Sequence, residues 1–150
     1  MKLLIDTNVI MDFLEKRDGA EFAKKLFELA ENDAQYECLT SSSVTDILYL
    51  FTKVLKDSKE GNKTNKEIKV LARIRLERFL SLFHILAVSE QTIKEAFSLA
   101  WTDTEDALQY AVAKENNVDI IITKNKKDYE KSDIPLMTAQ EFLDLLKKNK

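Results

Sequence analysis

Two apolar periods share this chain: short unbroken apolar runs, and longer stretches in which apolar residues recur every three or four positions. Leu3 to Ile5 form the first run and read as a buried strand, followed by a short helix from Asn8 to Glu15. Phe22, Leu26, Leu29 and Ala30, with Phe27 beside them, keep helical spacing through a second helix that ends near Asn32-Asp33. Tyr36 to Thr40 can form a second strand. After Ser41-Ser42-Ser43, the apolar set Val44, Ile47, Leu48, Leu50, Phe51 and Leu55 restores the helical period. The polar run Asp57 to Asn65, with Gly61 and two Asn, predicts a loop. A long amphipathic helix is expected from Ile68 to Phe83, and a third strand from His84 to Val88. Ser89 can cap a helix from Glu90 to Trp101, and Asp103 can start another that runs to about Glu115. Asp119 to Thr123 reads as a strand, Pro135 to Met137 as a short one, and Ala139 to Lys148 as a terminal helix.

Strands that alternate with helices imply parallel crossovers and a sheet covered on both faces. The expected class is α/β, a three-layer α/β/α fold whose central, mostly parallel sheet has four to five strands. At 150 residues the chain is expected to be one domain, 1–150, large enough to bury a core without disulfides or metal staples. With 45% hydrophobic residues, only 2 Gly and 1 Pro, the composition excludes disordered and fibrous classes. No internal repeat, low-complexity tract or interdomain linker interrupts the pattern.

In a parallel sheet all carboxyl ends share one edge, so residues just past each strand converge. Asp6 follows the first strand directly, and Asp46 is expected in the first turn of the helix after the second. Asp103 and Asp106 open a later helix, and their i, i+3 spacing puts both carboxylates on one face. Thr123 and Asn125 follow the fourth strand. Carboxylates gathered without a matching Lys or Arg repel one another and have raised pKa values unless a cation joins them. An oxygen-only set of that kind suits Mg²⁺ or Mn²⁺, not zinc. Structural roles compete for the same residues. Asp6 can simply tie a strand end to the next helix, Ser43-Val44-Thr45-Asp46 has the spacing of a capping box, and Asp103 can be an N-cap with Asp106 at N3. Asn125 and Asp128 are also good turn formers.

The formal net charge of −3 conceals a basic stretch. From Lys53 to Arg78 nine basic residues face four acids, a local +5 that leaves −8 for the rest. That stretch is either a solvated helix face or a contact surface for nucleic-acid phosphates. The single histidine, His84, and the single cysteine, Cys38, read as structural, since no Ser or Cys nucleophile has a base in the pattern. Trp101 and Phe97 are expected in a core or an interface rather than in base stacking. Without a leader-like segment or an apolar run near eighteen residues, neither secretion nor a membrane span is expected, which points to the cytoplasm.

Three segments in order, Leu4-Ile5-Asp6-Thr7-Asn8, Asp106-Ala107-Leu108-Gln109-Tyr110-Ala111 and Ile121-Ile122-Thr123-Lys124-Asn125-Lys126-Lys127-Asp128-Tyr129, resemble the motifs of the PIN domain family. That is the metal-dependent nuclease fold found in VapC-type toxins of bacterial toxin-antitoxin pairs. The resemblance spans essentially the whole chain. It implies that Asp6 and Asp106 match the family's first and third metal-binding acids, while Asp46 stands where the family usually has Glu and Asn125 where it often has Asp. Asp103, one turn before Asp106, can supply a compensating carboxylate. The implied chemistry is hydrolysis of RNA phosphodiesters with one or two Mg²⁺ or Mn²⁺ ions held by Asp6, Asp106 and Asp46 or Asp103. Thr7, Asn8, Thr123 and Asn125 would orient those groups, and Lys53, Lys56, Lys63 and Arg73 would contact RNA phosphates. A small antitoxin and a homodimer are the implied partners. Two other classes stay open. One is a PIN-like module for RNA binding or protein interaction whose altered acids hold too little metal for turnover. The other is phosphoryl transfer through Asp6, for which Asn8 replaces the acid that one large phosphatase group uses.

Overall fold

A computed structural model describes residues 1–58 and 62–150, so the middle of the expected 57–65 loop lies outside the described residues. Five parallel strands form one sheet: β1 (Lys2–Ile5), β2 (Tyr36–Thr40), β3 (His84–Leu86), β4 (Ile120–Ile122) and β5 (Leu136–Met137), in the order β3-β2-β1-β4-β5. The helices are α1 (Thr7–Leu14), α2 (Ala20–Glu31), α3 (Ser41–Lys56), α4 (Asn65–Leu80), α5 (Glu90–Ser98), α6 (Thr104–Glu115) and α7 (Ala139–Lys148). No helix among the described residues is long and apolar enough to cross a membrane.

The unbroken apolar run of β1 follows from its place in the middle of the sheet, where both faces are covered. Leu3 and Ile5 pack, with Leu39, Ile120 and Ile122, against α1, α2, α3, α4 and α7. Leu4 points the other way, with Cys38 and Ile121, onto α6 and Ala96 of α5. Three layers result. Phe13, Phe27, Phe79 and Phe83 interlock on the first face with ring centroids 5.3 to 5.5 Å apart, which ties α1, α2 and α4 together. Strand order reverses between β1 and β4: the chain runs outward through β2 and β3, then returns to β1's other edge. A crevice at the carboxyl ends of those two strands is where such sheets bind ligands.

Several helix boundaries differ from the expected ones, each for a local reason. Helix α4 starts at Asn65 because Thr64 and Glu67 form a reciprocal capping box, a signal masked in the sequence by the surrounding polar residues. It stops at Leu80, short of Phe83, where the Ser81 hydroxyl donates to the Arg78 carbonyl at 2.6 Å. Helix α5 ends at Ser98 because Ala100 takes a left-handed conformation (φ 54°), which turns Trp101 into the core. Helix α3 starts at Ser41, not after Ser43, since Thr40 is its cap and accepts from the Ser43 amide at 3.3 Å. Asp46 therefore sits in the second turn, and the Ser43–Asp46 capping box does not form.

Glu37 is the exception in the core. It lies on β2 at 1% exposure, and neither carboxylate oxygen has a hydrogen-bond partner among the described residues. Burial pushes its pKa from 4.5 to about 8. Because the folded state binds the proton more tightly than the unfolded chain, Glu37's contribution is fully present below pH 4.5 and is lost as pH rises through about 8. Glu37→Gln is expected to flatten the decline in stability over that window and to raise stability at pH 9 by on the order of 4 kcal/mol. Urea unfolding at pH 5, 7 and 9 checks this; parallel pH profiles for variant and wild type would contradict it.

Candidate active site

Asp6 stands at the reversal of strand order, immediately past β1, and its backbone N–H continues the ladder to the Ile122 carbonyl at 2.9 Å. Its side chain is 3% exposed, and four donors converge on it. The Asn8 backbone N–H and the Gln109 amide each reach Oδ1 at 3.4 Å. On Oδ2, the Thr123 hydroxyl donates at 2.8 Å and the Tyr129 hydroxyl at 3.3 Å. The Thr123 oxygen in turn accepts from the Asn125 N–H at 3.1 Å. A strand, two helices and the turn after β4 thus fix one carboxylate. Asp6 is also the N-cap of α1, so the strand-to-helix tie read from the sequence and a place in the site are the same geometry.

Helix α6 supplies the next acids. Asp103 is its N-cap, and Oδ1 accepts from the Asp106 N–H at 3.0 Å. Oxygens of Asp103, Asp106 and Asp128 all lie within 4.8 Å of one another. At an effective dielectric of about 20, each fully ionised pair at such a distance repels by roughly 3 kcal/mol before solvent screening. Asp106 is 8% exposed, and its carboxyl is pushed from 3.8 up to about 7. Burial contributes most, then the charges of Asp6, Asp103 and Asp128, while a hydrogen bond from Tyr129 acts the other way. Burial and the neighbouring Asp6 and Asp106 charges hold the Tyr129 phenol well above its usual range, so it serves as a donor.

These groups line one pocket of about 510 Å³, whose wall carries Asp6, Asp46, Asp103, Glu105, Asp106 and Asp128. Among the described residues, no Lys or Arg lines it. Gln109 Oε1, buried in the same wall, has no hydrogen-bond partner among the described residues. Carboxylate oxygens without a protein cation, beside an unpartnered amide oxygen, fit a hard divalent ion such as Mg²⁺ or Mn²⁺.

The pocket brings together Asp6, Asp46, Asp103 and Asp106 with Thr7, Asn8 and Asn125. Thr123 is fully buried behind Asp6, and the Thr7 hydroxyl turns to Ser43 Oγ at 2.8 Å. Asp46 is exposed on the wall and stands outside the three-carboxylate group. None of Lys53, Lys56, Lys63 or Arg73 lines the pocket; Arg73 pairs with Glu77 at 3.7 Å and lines a separate shallow depression on α4. Sequence reasoning left four members out of the site, one of them Glu105, which adds a carboxylate to the wall. Asp128, read as a turn former, supplies a carboxylate where Asn125 has none. Gln109 and Tyr129 sit inside the motifs but give no sign of their aim: Gln109 lies one turn after Asp106, and only the turn after β4 directs Tyr129 inward. Lys124 faces away from the pocket and pairs with buried Asp12 at 3.0 Å, anchoring that turn to α1.

The chain belongs to the PIN domain family, whose sequence pattern matches residues 2–127. It is 26% identical to ribonuclease VapC1 of Aquifex aeolicus (strain VF5) over 150 residues, 95% of this chain and 94% of that protein. Among solved structures, VapBC2 from Rickettsia felis bound to a DNA fragment from their promoter superposes with a TM-score of 0.66 at 19% identity, over 92% of this chain and 98% of that one. FitAcB from Neisseria gonorrhoeae gives 0.62 at 22% identity, over 92% and 98%. A toxin-antitoxin complex from Klebsiella pneumoniae gives 0.64 at 21%, over 91% and 97%. At these identities the structural likeness establishes the three-layer fold.

The raised Asp106 carboxyl makes the site a liability when no cation is bound. The folded state holds that proton more tightly than the unfolded chain, so stability is lost as pH rises from 3.8 through about 7. In chelator at pH 8, Asp106→Asn is expected to stabilise the protein by on the order of 2 to 4 kcal/mol, measured by urea unfolding. A destabilised Asp106→Asn protein under those conditions would argue against net repulsion at this site.

Proposed function

We propose that this chain is a metal-dependent endoribonuclease that hydrolyses RNA phosphodiester bonds as the toxin of a VapBC-type toxin-antitoxin pair. The observation that carries the reading is the pocket at the strand-order reversal of a PIN domain, lined among the described residues by six carboxylates and no Lys or Arg. The identity to ribonuclease VapC1 supports it.

Asp6, Asp103, Asp106 and Asp128 would hold Mg²⁺ or Mn²⁺, with Asp46 reaching the same space from α3 through water. When bound, such an ion lowers the pKa of water and neutralises charge that builds on the phosphate. The chain's own groups do the rest. The donors on Asp6 fix its two oxygens so that little reorganisation is needed when substrate arrives. Asp106, whose carboxyl is pushed up to about 7, would give up its proton on holding such an ion. Asn8 and Asn125, on the pocket wall, offer amides to phosphate oxygens or water. Lys53, Lys56, Lys63 and Arg73 lie outside the pocket and would meet phosphates farther along the strand, where they would govern affinity rather than the chemical step.

One structural neighbour, from Klebsiella pneumoniae, is a toxin-antitoxin complex, which supports a small antitoxin as partner here. In this reading the whole of 1–150 acts as one unit in the cytoplasm and forms a homodimer.

With structured RNAs and Mn²⁺, the wild-type protein is expected to cleave, and Asp6→Asn and Asp106→Asn to lose at least about a hundredfold in rate. Chelation should abolish cleavage by the wild type. Equal cleavage by all three proteins would trace the activity to a contaminant and sink the mechanism.

A further inference from the structure

We propose, resting on the ribonuclease reading above, that Tyr49 is a stacking platform for an unpaired RNA base at the mouth of the acidic pocket and makes the protein selective for single-stranded RNA. Helix α3 carries Asp46, Tyr49 and Leu50 at i, i+3 and i+4 spacing, and all three line the pocket with Leu108 of α6. Tyr49 is the aromatic member of the wall. It is 70% exposed, and its ring and hydroxyl have no partner among the described residues. The other strongly exposed aromatic, Phe97 at 69%, lies on α5 and does not line the pocket.

The chemistry of the wall gives that ring its role. A polyanion entering a pocket lined, among the described residues, by six carboxylates and no Lys or Arg is repelled, and a bound cation would offset only part of that charge. Binding at this point therefore has to come from an uncharged contact. A base on an aromatic ring is such a contact, worth enough to raise affinity roughly tenfold or more for any base. A base in a duplex has both faces covered by its neighbours, so the platform serves only a splayed or single-stranded segment. Leu50 and Leu108 extend the apolar part of the wall beside it.

Tyr49→Ala, Tyr49→Phe and Tyr49→Trp test this with a mixed-sequence single-stranded RNA and the same sequence in a duplex. Tyr49→Ala is expected to raise KM for the single strand about tenfold or more, with Mn²⁺ affinity intact, and Tyr49→Phe and Tyr49→Trp to restore it. Fluorescence of the Tyr49→Trp protein should be quenched by the single strand and not by the duplex, over the constant signal of buried Trp101. An unchanged KM for Tyr49→Ala, or equal quenching by both RNAs, overturns the proposal. A shift of Tyr49→Ala to a smaller species in light scattering with KM unchanged also overturns it and makes Tyr49 a protein contact. Should the wild type cleave no RNA, the ribonuclease reading alone fails, and the quenching still decides whether Tyr49 stacks on bases.

Discussion

Repulsion among carboxylates at one edge of the sheet is the constraint around which this molecule is arranged. Asp103, Asp106 and Asp128 bring oxygens within 4.8 Å of one another, and Asp6 adds its charge to Asp106. Full ionisation of even one such pair at an effective dielectric of about 20 opposes a sizeable fraction of the 5 to 15 kcal/mol that typically holds a domain folded. The fold answers in two ways. Hydrogen-bond donors are aimed at Asp6 from α1, α6 and the segment after β4, and the Asp106 carboxyl is pushed up to about 7. Neither answer neutralises the pocket, and its carboxylates are a donor set that a divalent cation would fit.

That arrangement explains why the parts of the site serve twice. Asp6 caps α1 and Asp103 caps α6, so each carboxylate that adds to the repulsion also satisfies backbone N–H groups that would otherwise be orphaned. The Asp12–Lys124 pair, half of it buried, ties the turn after β4 to α1, the two elements that share Asp6 and its donors. Local stability is given up for chemistry at the pocket and recovered in the central β1 run and in the helical layer that packs on it, which holds the four-phenylalanine cluster. Glu37, by contrast, is a buried acid without a hydrogen-bond partner among the described residues, far along β2 from the carboxyl edge, and the pocket gives no account of it.

The fold was legible because β1 and β4 are compact apolar runs and the helices between the strands keep their period; Tyr36–Thr40 and Ala139–Lys148 match to the residue. Boundaries failed where a short capping signal competed with composition, as at Thr64–Glu67, or where a left-handed residue ended a helix that apolar spacing would continue, as at Ala100. Asp6, Asp103 and Asp106 could be placed together because residues past parallel strands converge. Asp128 and Tyr129 could not, since their aim depends on a short 3₁₀ turn (Lys126–Asp128) whose residues suit any surface loop. Asp46 was read one turn too early because three serines offered competing caps and Thr40 is the one used.

The central claim is that the pocket's carboxylates are held apart from full ionisation until a divalent cation joins them. Calorimetric titration with Mn²⁺ at pH 6 and pH 8, in buffers of different ionisation heat, measures both affinity and proton release. The wild type should bind more tightly at pH 8, release close to one proton at pH 6 and little at pH 8, and lose binding in Asp106→Asn. Binding of equal strength at both pH values with no proton release, or an Asp106→Asn protein that binds like the wild type, would contradict it.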